Sequence, residues 1–358
     1  MIRDFSYTSL PQRVVFGAGS LQHLGREIDA LRARRALVLC TPGQRDKAER
    51  VAAMLGAQAA GIFDGAVMHV PIETARDARQ AAHNLGADCA IAIGGGSTVG
   101  LGKAIALDSG LPILAIPTTY AGSEMTPFYG LTEAGLKTTG KDARVLPRTV
   151  IYDPELSRGL PVALSVTSGI NAIAHAAEGL YAQDANPVMD LMAEQGIAAM
   201  ARAIPAIRRD SGDMQARTDA LYGTWLCGTV LGCVGIALHH KLCHTLGGSF
   251  NLPHSEVHTV VLPHAIAFNA GVAPQAMEVI ARALGTPSAA LGLYALAKDN
   301  GAAVALRDIG MREQDLDRAA DLAVSNPYWN PRPIGPAERG LIRDLLQRAW
   351  GGVPPVEG

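Results

Sequence analysis

Apolar and polar positions follow two different rhythms along this chain. Up to Tyr152, short apolar runs (Arg35 to Cys40, Cys89 to Ile93, Leu111 to Ile116 and Thr149 to Tyr152) are separated by stretches in which apolar residues recur at helical spacing. Continuous apolar runs bounded by glycine and proline predict strands covered on both faces, and their alternation with helical stretches predicts a parallel sheet flanked by helices. From about Asp153 onward, long segments rich in alanine and leucine at helical spacing take over and strand candidates disappear. Proline and glycine punctuate the change at Asp153-Pro154 and Gly159-Leu160-Pro161. The expected organisation is therefore an α/β domain over residues 1–155 followed by an all-helical domain over residues 156–358.

The strand predicted at Cys89 to Ile93 runs straight into Gly94-Gly95-Gly96-Ser97 and then into the helix-like stretch Leu101 to Leu107. Consecutive glycines permit positive φ and let a ligand approach the backbone, while the N-terminus of the following helix offers N–H groups to a phosphate. A plain strand-to-helix turn would use the same glycines. A second loop favours the ligand: the next strand ends in Pro117-Thr118-Thr119, and in an open α/β sheet both loops fall at the carboxyl ends of the strands, where a dinucleotide binds. This makes the first domain a Rossmann-like dinucleotide-binding domain. The strand at Ala36 to Cys40 leads into Thr41-Pro42-Gly43-Gln44-Arg45, which adds Thr41 to the cofactor-binding candidates. No carboxylate there reserves the place of a ribose 2′-hydroxyl and Arg45 is at hand, so both NADH and NADPH are expected.

Composition narrows the function class. Of 358 residues, 48% are hydrophobic and 18% charged, with no apolar stretch that reads as a membrane span. A net charge of −2 without a basic run argues against nucleic acid or an anionic membrane surface as partner, which leaves a small molecule. The segment from Met1 to Leu10 lacks the apolar block of a signal peptide, so the expected location is the cytoplasm. The five cysteines contain no CxxC pair, and neither a disulfide framework nor a thiolate zinc site is expected.

Six of the ten histidines fall between Leu238 and His264: His239, His240, His244, His254, His258 and His264. His240 and His244 are four apart and share a helix face, as do Asn171 and His175 in the helix-like stretch Ser168 to Tyr181. Pro253-His254 follows Gly247-Gly248, a turn that would fold His254 back towards the others. One such histidine is an ordinary core residue; gathered in this way they point to a catalytic or metal pocket, although Asn171 stands where a carboxylate ligand would be more usual for zinc or iron.

Taken in order, Gly94-Gly95-Gly96-Ser97, Pro117-Thr118-Thr119, Asn171-Ala172-Ile173-Ala174-His175, His240-Lys241-Leu242-Cys243-His244 and Pro253-His254 resemble the motif series of the iron-containing alcohol dehydrogenase superfamily. That resemblance implies a dinucleotide-binding N-terminal domain, a helical C-terminal domain, a homodimer, and a divalent iron or zinc held by one aspartate and three histidines. The histidine positions are His175, His240 and His254; the aspartate position holds Asn171. This departure, with His239-His240, Asp153-Pro154-Glu155-Leu156 and Asn330-Pro331-Arg332-Pro333, is similar to the branch of the superfamily that reduces maleylacetate to 3-oxoadipate in the breakdown of aromatic compounds. The implied chemistry is hydride addition to a conjugated double bond, with charge gathering on a ketone oxygen. An imidazole stabilises that oxygen and supplies a proton without a metal. The roles expected are His240 or His244 as oxyanion partner and proton source, His175 and His254 lining the pocket, and Lys241 and Arg332 as cations for the two substrate carboxylates. The alternative within the superfamily, a metal-dependent alcohol or polyol dehydrogenase, needs a Lewis acid that Asn171 serves poorly.

Overall fold

Six parallel strands order the first part of the chain in the computed structural model, which describes residues 4–133 and 136–356. In chain order the strands are β1 (Arg13–Phe16), β2 (Ala36–Leu39), β3 (Ala59–Phe63), β4 (Cys89–Gly94), β5 (Ile113–Pro117), β6 (Phe128–Glu133), β7 (Leu136–Lys141) and β8 (Thr149–Tyr152). The sheet runs β1-β8-β5-β4-β2-β3, while β6 and β7 form a separate antiparallel hairpin that the hydrophobic pattern does not predict. Helices α1 (Leu24–Ala30), α2 (Arg45–Leu55), α3 (Ile72–Asn84) and α4 (Gly96–Ser109) cover it.

The pleat sorts side chains by parity, as strand geometry requires. Val38, Ile91, Ile93, Leu114 and Ile116 pack on one face with Leu24, Ile28 and Val51 of α1 and α2. Leu37, Leu39 and Ala90 pack on the other with Ala75 and Ala78 of α3 and Leu101 and Ile105 of α4. Strands β4 and β5 are in register to their ends, with Gly94 opposite Pro117. The two loops that follow them therefore start level at the carboxyl edge of the sheet.

Among the described residues no strand follows Tyr152. The chain divides into two units, Ser9–Leu160 and Pro161–Gly358, the latter joined by Met1–Thr8. The second unit contains α5 (Val162–Gly179), α6 (Pro187–Arg209), α7 (Met214–Cys233), α8 (Leu238–Phe250), α9 (His254–Asn269), α10 (Pro274–Leu284), α11 (Ala289–Asp299), α12 (Leu316–Ser325) and α13 (Arg339–Gly351). Helix α5 is buried without interruption from Ser165 to Gly179, which is why its sequence is nearly all small or apolar. Helices α6 and α7 approach through glycines: a Cβ on Gly223 would sit 3.0 Å from the Gly196 carbonyl oxygen and 2.9 Å from Met200 Cγ.

One segment departs from the expectation that nothing reads as a membrane span. Pro274–Asp299 reaches the length and apolar content of one. It is broken between α10 and α11, where Gly285 ends α10 at φ 69° and leaves two pieces of 11 residues each. Each piece is about 17 Å long, roughly half the thickness of a bilayer core.

Candidate active site

The glycine loop is built as a cradle. Gly94 ends β4 at φ 152°, and a Cβ there would lie 2.5 Å from Thr98 Oγ1 and 2.7 Å from Gln44 Oε1. Only glycine fits both the backbone and the space. A Cβ on Gly95 would come within 2.9 Å of Thr119 Cγ2. Gly96 then opens α4, whose N-terminus has no side-chain cap, and Ser97 lies half-buried in its first turn. The Thr118 N–H donates to the Gly94 carbonyl at 2.9 Å, and Gln44 Nε2 donates to Thr118 Oγ1 at 2.9 Å. Thr41 stands three residues before Gln44 and accepts its N–H through the carbonyl, so loops after β2, β4 and β5 meet around Gly94.

Two residues here escape a reading of the sequence. Gln44, which links two of the loops, is one. Lys103 of α4 is the other: it is 2% exposed, and its Nζ donates to Ser123 O at 2.7 Å, Thr126 O at 2.9 Å, Thr126 Oγ1 at 3.0 Å and Phe128 O at 2.7 Å. Burial pushes its ammonium down to about 7, opposed by the nearby Glu124 carboxyl. The helix that opens with the cradle is thus tied to the segment following Thr118 and Thr119. Arg45, offered by the sequence as a cation for a 2′-phosphate, is neutralised by Asp64 at 2.7 Å and Glu49 at 3.0 Å.

In the helical unit, α5, α8 and α9 bring the histidines together. His175 Nδ1 lies 3.0 Å from His240 Nε2, with the rings stacked at 5.2 Å between centroids. Nδ1 of His240 lies 2.6 Å from Glu178 Oε2, and the same carboxylate accepts the N–H of Ala237 at 2.8 Å on Oε2 and of His239 at 2.6 Å on Oε1. Glu178 is the residue the motif reading overlooks; its position three after His175, on the same face of α5, is the only sign it gives in the sequence. His244 Nδ1 lies 2.9 Å from Tyr328 Oη, and Lys241 Nζ sits 5.7 Å from the Tyr328 ring.

His254 is brought to the cluster, with its ring 4.5 Å from that of His258, but not by the expected turn. Gly247 and Gly248 are inside α8. The reversal comes at Asn251, which ends the helix in the left-handed region at φ 53°, a conformation asparagine tolerates better than most residues. Arg332 stands at the other end of α9: its guanidinium stacks on Phe268 at 4.3 Å and donates to the Phe268 carbonyl at 3.2 Å. Roughly 20 Å of helix separates Phe268 from His254.

Behind His240, His239 Nε2 and His258 Nδ1 are 2.9 Å apart and Cys243 Sγ lies 3.5 Å from His239 Nε2. Among the described residues this is the one group of three whose potential metal-binding atoms lie within 4.8 Å of one another. Burial pushes the Cys243 thiol well up and both imidazoles well down, so the group is a neutral buried layer rather than a thiolate site. The donor set implied by the superfamily, His175, His240, His254 and Asn171, offers three imidazoles and an amide. It lacks the anionic ligand that offsets a divalent charge, and the neighbouring Glu178 carboxylate is committed to three N–H donors. These residues do not make a complete site for iron or zinc.

Known proteins place this geometry in context. Residues 11–154 match the family model for iron-containing alcohol dehydrogenases, and residues 165–350 match the model for the C-terminal part of the same family. The chain is 64% identical over 351 residues to maleylacetate reductase of Burkholderia cepacia, covering 98% of this chain and 99% of that one. A solved structure of maleylacetate reductase from Agrobacterium tumefaciens is 52% identical, covers 99% of this chain and 100% of its own, and superposes with a TM-score of 0.95. The enzyme of that name from Rhizobium sp. strain MTP-10005 is likewise 52% identical with the same coverage and a TM-score of 0.94.

Proposed function

We infer that this chain, which belongs to the iron-containing alcohol dehydrogenase family, reduces the carbon–carbon double bond of maleylacetate to give 3-oxoadipate. The observation that carries the reading is full-length similarity to maleylacetate reductases, joined to a histidine pair whose ring nitrogens lie 3.0 Å apart where the family would place a metal. A bound NADH or NADPH supplies the hydride, which adds to the carbon β to the ketone. Negative charge then gathers on the ketone oxygen, and a proton must reach the neighbouring carbon.

The cradle at Gly94-Gly95-Gly96-Ser97, with Thr41, Thr118 and Thr119, takes the pyrophosphate and orients the cofactor. In the helical unit, His240 Nε2 accepts from His175 Nδ1 across 3.0 Å, because Glu178 occupies Nδ1 of His240 and leaves Nε2 to face His175. When the pair takes up a further proton, the imidazolium so formed donates a hydrogen bond to the developing oxyanion and a proton to the neighbouring carbon, and is reprotonated from water after turnover. His244, steered by Tyr328, and His254 line the same cluster, and Lys241, over the Tyr328 ring, is with Arg332 one of the two cations proposed for the substrate carboxylates. The reading includes action in the cytoplasm as a homodimer, within the breakdown of aromatic compounds.

The test is stoichiometry. Maleylacetate added to purified enzyme with NADH or NADPH is expected to yield one 3-oxoadipate per reduced cofactor oxidised, identified by mass. Faster turnover of ethanol or a diol than of maleylacetate, abolished by a chelator, would give the site to alcohol dehydrogenase chemistry instead.

A further inference from the structure

We propose that Glu178 is a positioning residue for this reaction: it holds the His240 ring by Nδ1 and so turns Nε2 towards His175. The inference rests on the reading of the site given above. Three N–H groups converge on this carboxylate, from Ala237, His239 and the His240 ring. A carboxylate accepts and does not donate, so His240 carries its hydrogen on Nδ1 and Nε2 is left as an acceptor. Nε2 is also the nitrogen 3.0 Å from His175 Nδ1.

The arrangement joins two tasks in one group. Helix α8 begins with no side-chain cap of its own at Ala237, and Glu178 reaches across from α5 to bind the N–H groups of Ala237 and His239. An anion at that point satisfies orphan donors and suits the positive end of the helix dipole. A local serine or aspartate would cap α8 as well. Supplying the cap from α5 instead makes the start of α8 and the orientation of the ring on its third residue depend on the same 1% exposed carboxylate, which lies one turn beyond His175 on the same helix. Glutamine fits the space but not the bonding: its NH2 would face either the His239 N–H, or the Ala237 N–H together with Nδ1. The second choice forces His240 into the opposite tautomer, with Nε2 protonated and no longer able to accept from His175.

The test combines E178Q with H240N. Glu178→Gln is expected to lower kcat by about 10- to 100-fold, with KM for maleylacetate shifted less than about 3-fold, a split that marks loss in the reacting state rather than in binding. In the H240N background the same change is expected to cost less than about 3-fold further, because residues acting as a unit are not additive. Equal losses in both backgrounds, or a loss carried by KM, would overturn the assignment and leave Glu178 a structural cap. A second readout does not depend on substrate: the 2.6 Å hydrogen bond from Nδ1 predicts a low-field proton resonance, present in the parent protein, moved upfield or lost in E178Q, where a neutral amide replaces the carboxylate, and missing from H240N. Its persistence unshifted in E178Q overturns the positioning role even if maleylacetate proves not to be the substrate. Should E178Q not fold, Glu178→Asp keeps both oxygens but retracts them by one methylene, and the same resonance is expected to be lost.

Discussion

Single residues show where linear reading succeeds and where it stops. Gly94, Gly95, Gly96, Thr118, Thr119 and the paired His240 and His244 are legible because each motif is contiguous or spans one helical turn. Glu178 and Gln44 are not, because their partners lie 62 and 74 residues away in the chain. His264 is a third case: a histidine that joins the run in sequence but carries a different burden. It is 3% exposed, its Nε2 has no hydrogen-bond partner among the described residues, and burial, helped by Arg348, pushes it down to about 4 from an ordinary 6.5. Between those values the unfolded chain binds a proton that the folded one refuses, so stability is full above pH 6.5 and falls as pH is lowered towards 4. His264→Leu should flatten this dependence. Urea midpoints at pH 7.5 and pH 5 are expected to differ less in the variant than in the parent, and an unchanged difference would mean that His264 does not contribute.

At the scale of elements, the four strands predicted from continuous apolar runs are β2, β4, β5 and β8, the interior four of the sheet, and each is buried at every position. The edge strands β1 and β3 are half-buried along much of their length, and the hairpin β6/β7 lies outside the sheet; none of them has an uninterrupted run to announce it. Burial on both faces is what made a strand readable here. The helices are readable by period, but their contacts are not. Gly196 and Gly223 look like weak points in α6 and α7, yet they set how closely the two helices pack. Gly223→Ala improves local helix propensity by about 1 kcal/mol but inserts a methyl 3.0 Å from a carbonyl oxygen. The clash is expected to win, with a net loss of about 1 to 3 kcal/mol in denaturant unfolding; a gain in stability would show that the helices have room to part.

For the molecule as a whole, the order of texture along the chain, an α/β half and then a helical half, was readable from hydrophobic periodicity and is the observed arrangement of elements. What periodicity could not supply was the reaction. That came from a handful of polar residues, above all Asn171 in place of an aspartate beside three histidines, and from similarity to maleylacetate reductases along the full chain. The central claim is that imidazoles held by Glu178, rather than a metal, manage the proton and the oxyanion. The measurement that tests it most directly is NADH oxidation on adding maleylacetate to protein stripped of metal by a chelator and verified metal-free, repeated after adding iron or zinc. Full turnover without metal and no gain on its return are expected; turnover that vanishes with the metal and recovers with iron or zinc would contradict a metal-free mechanism.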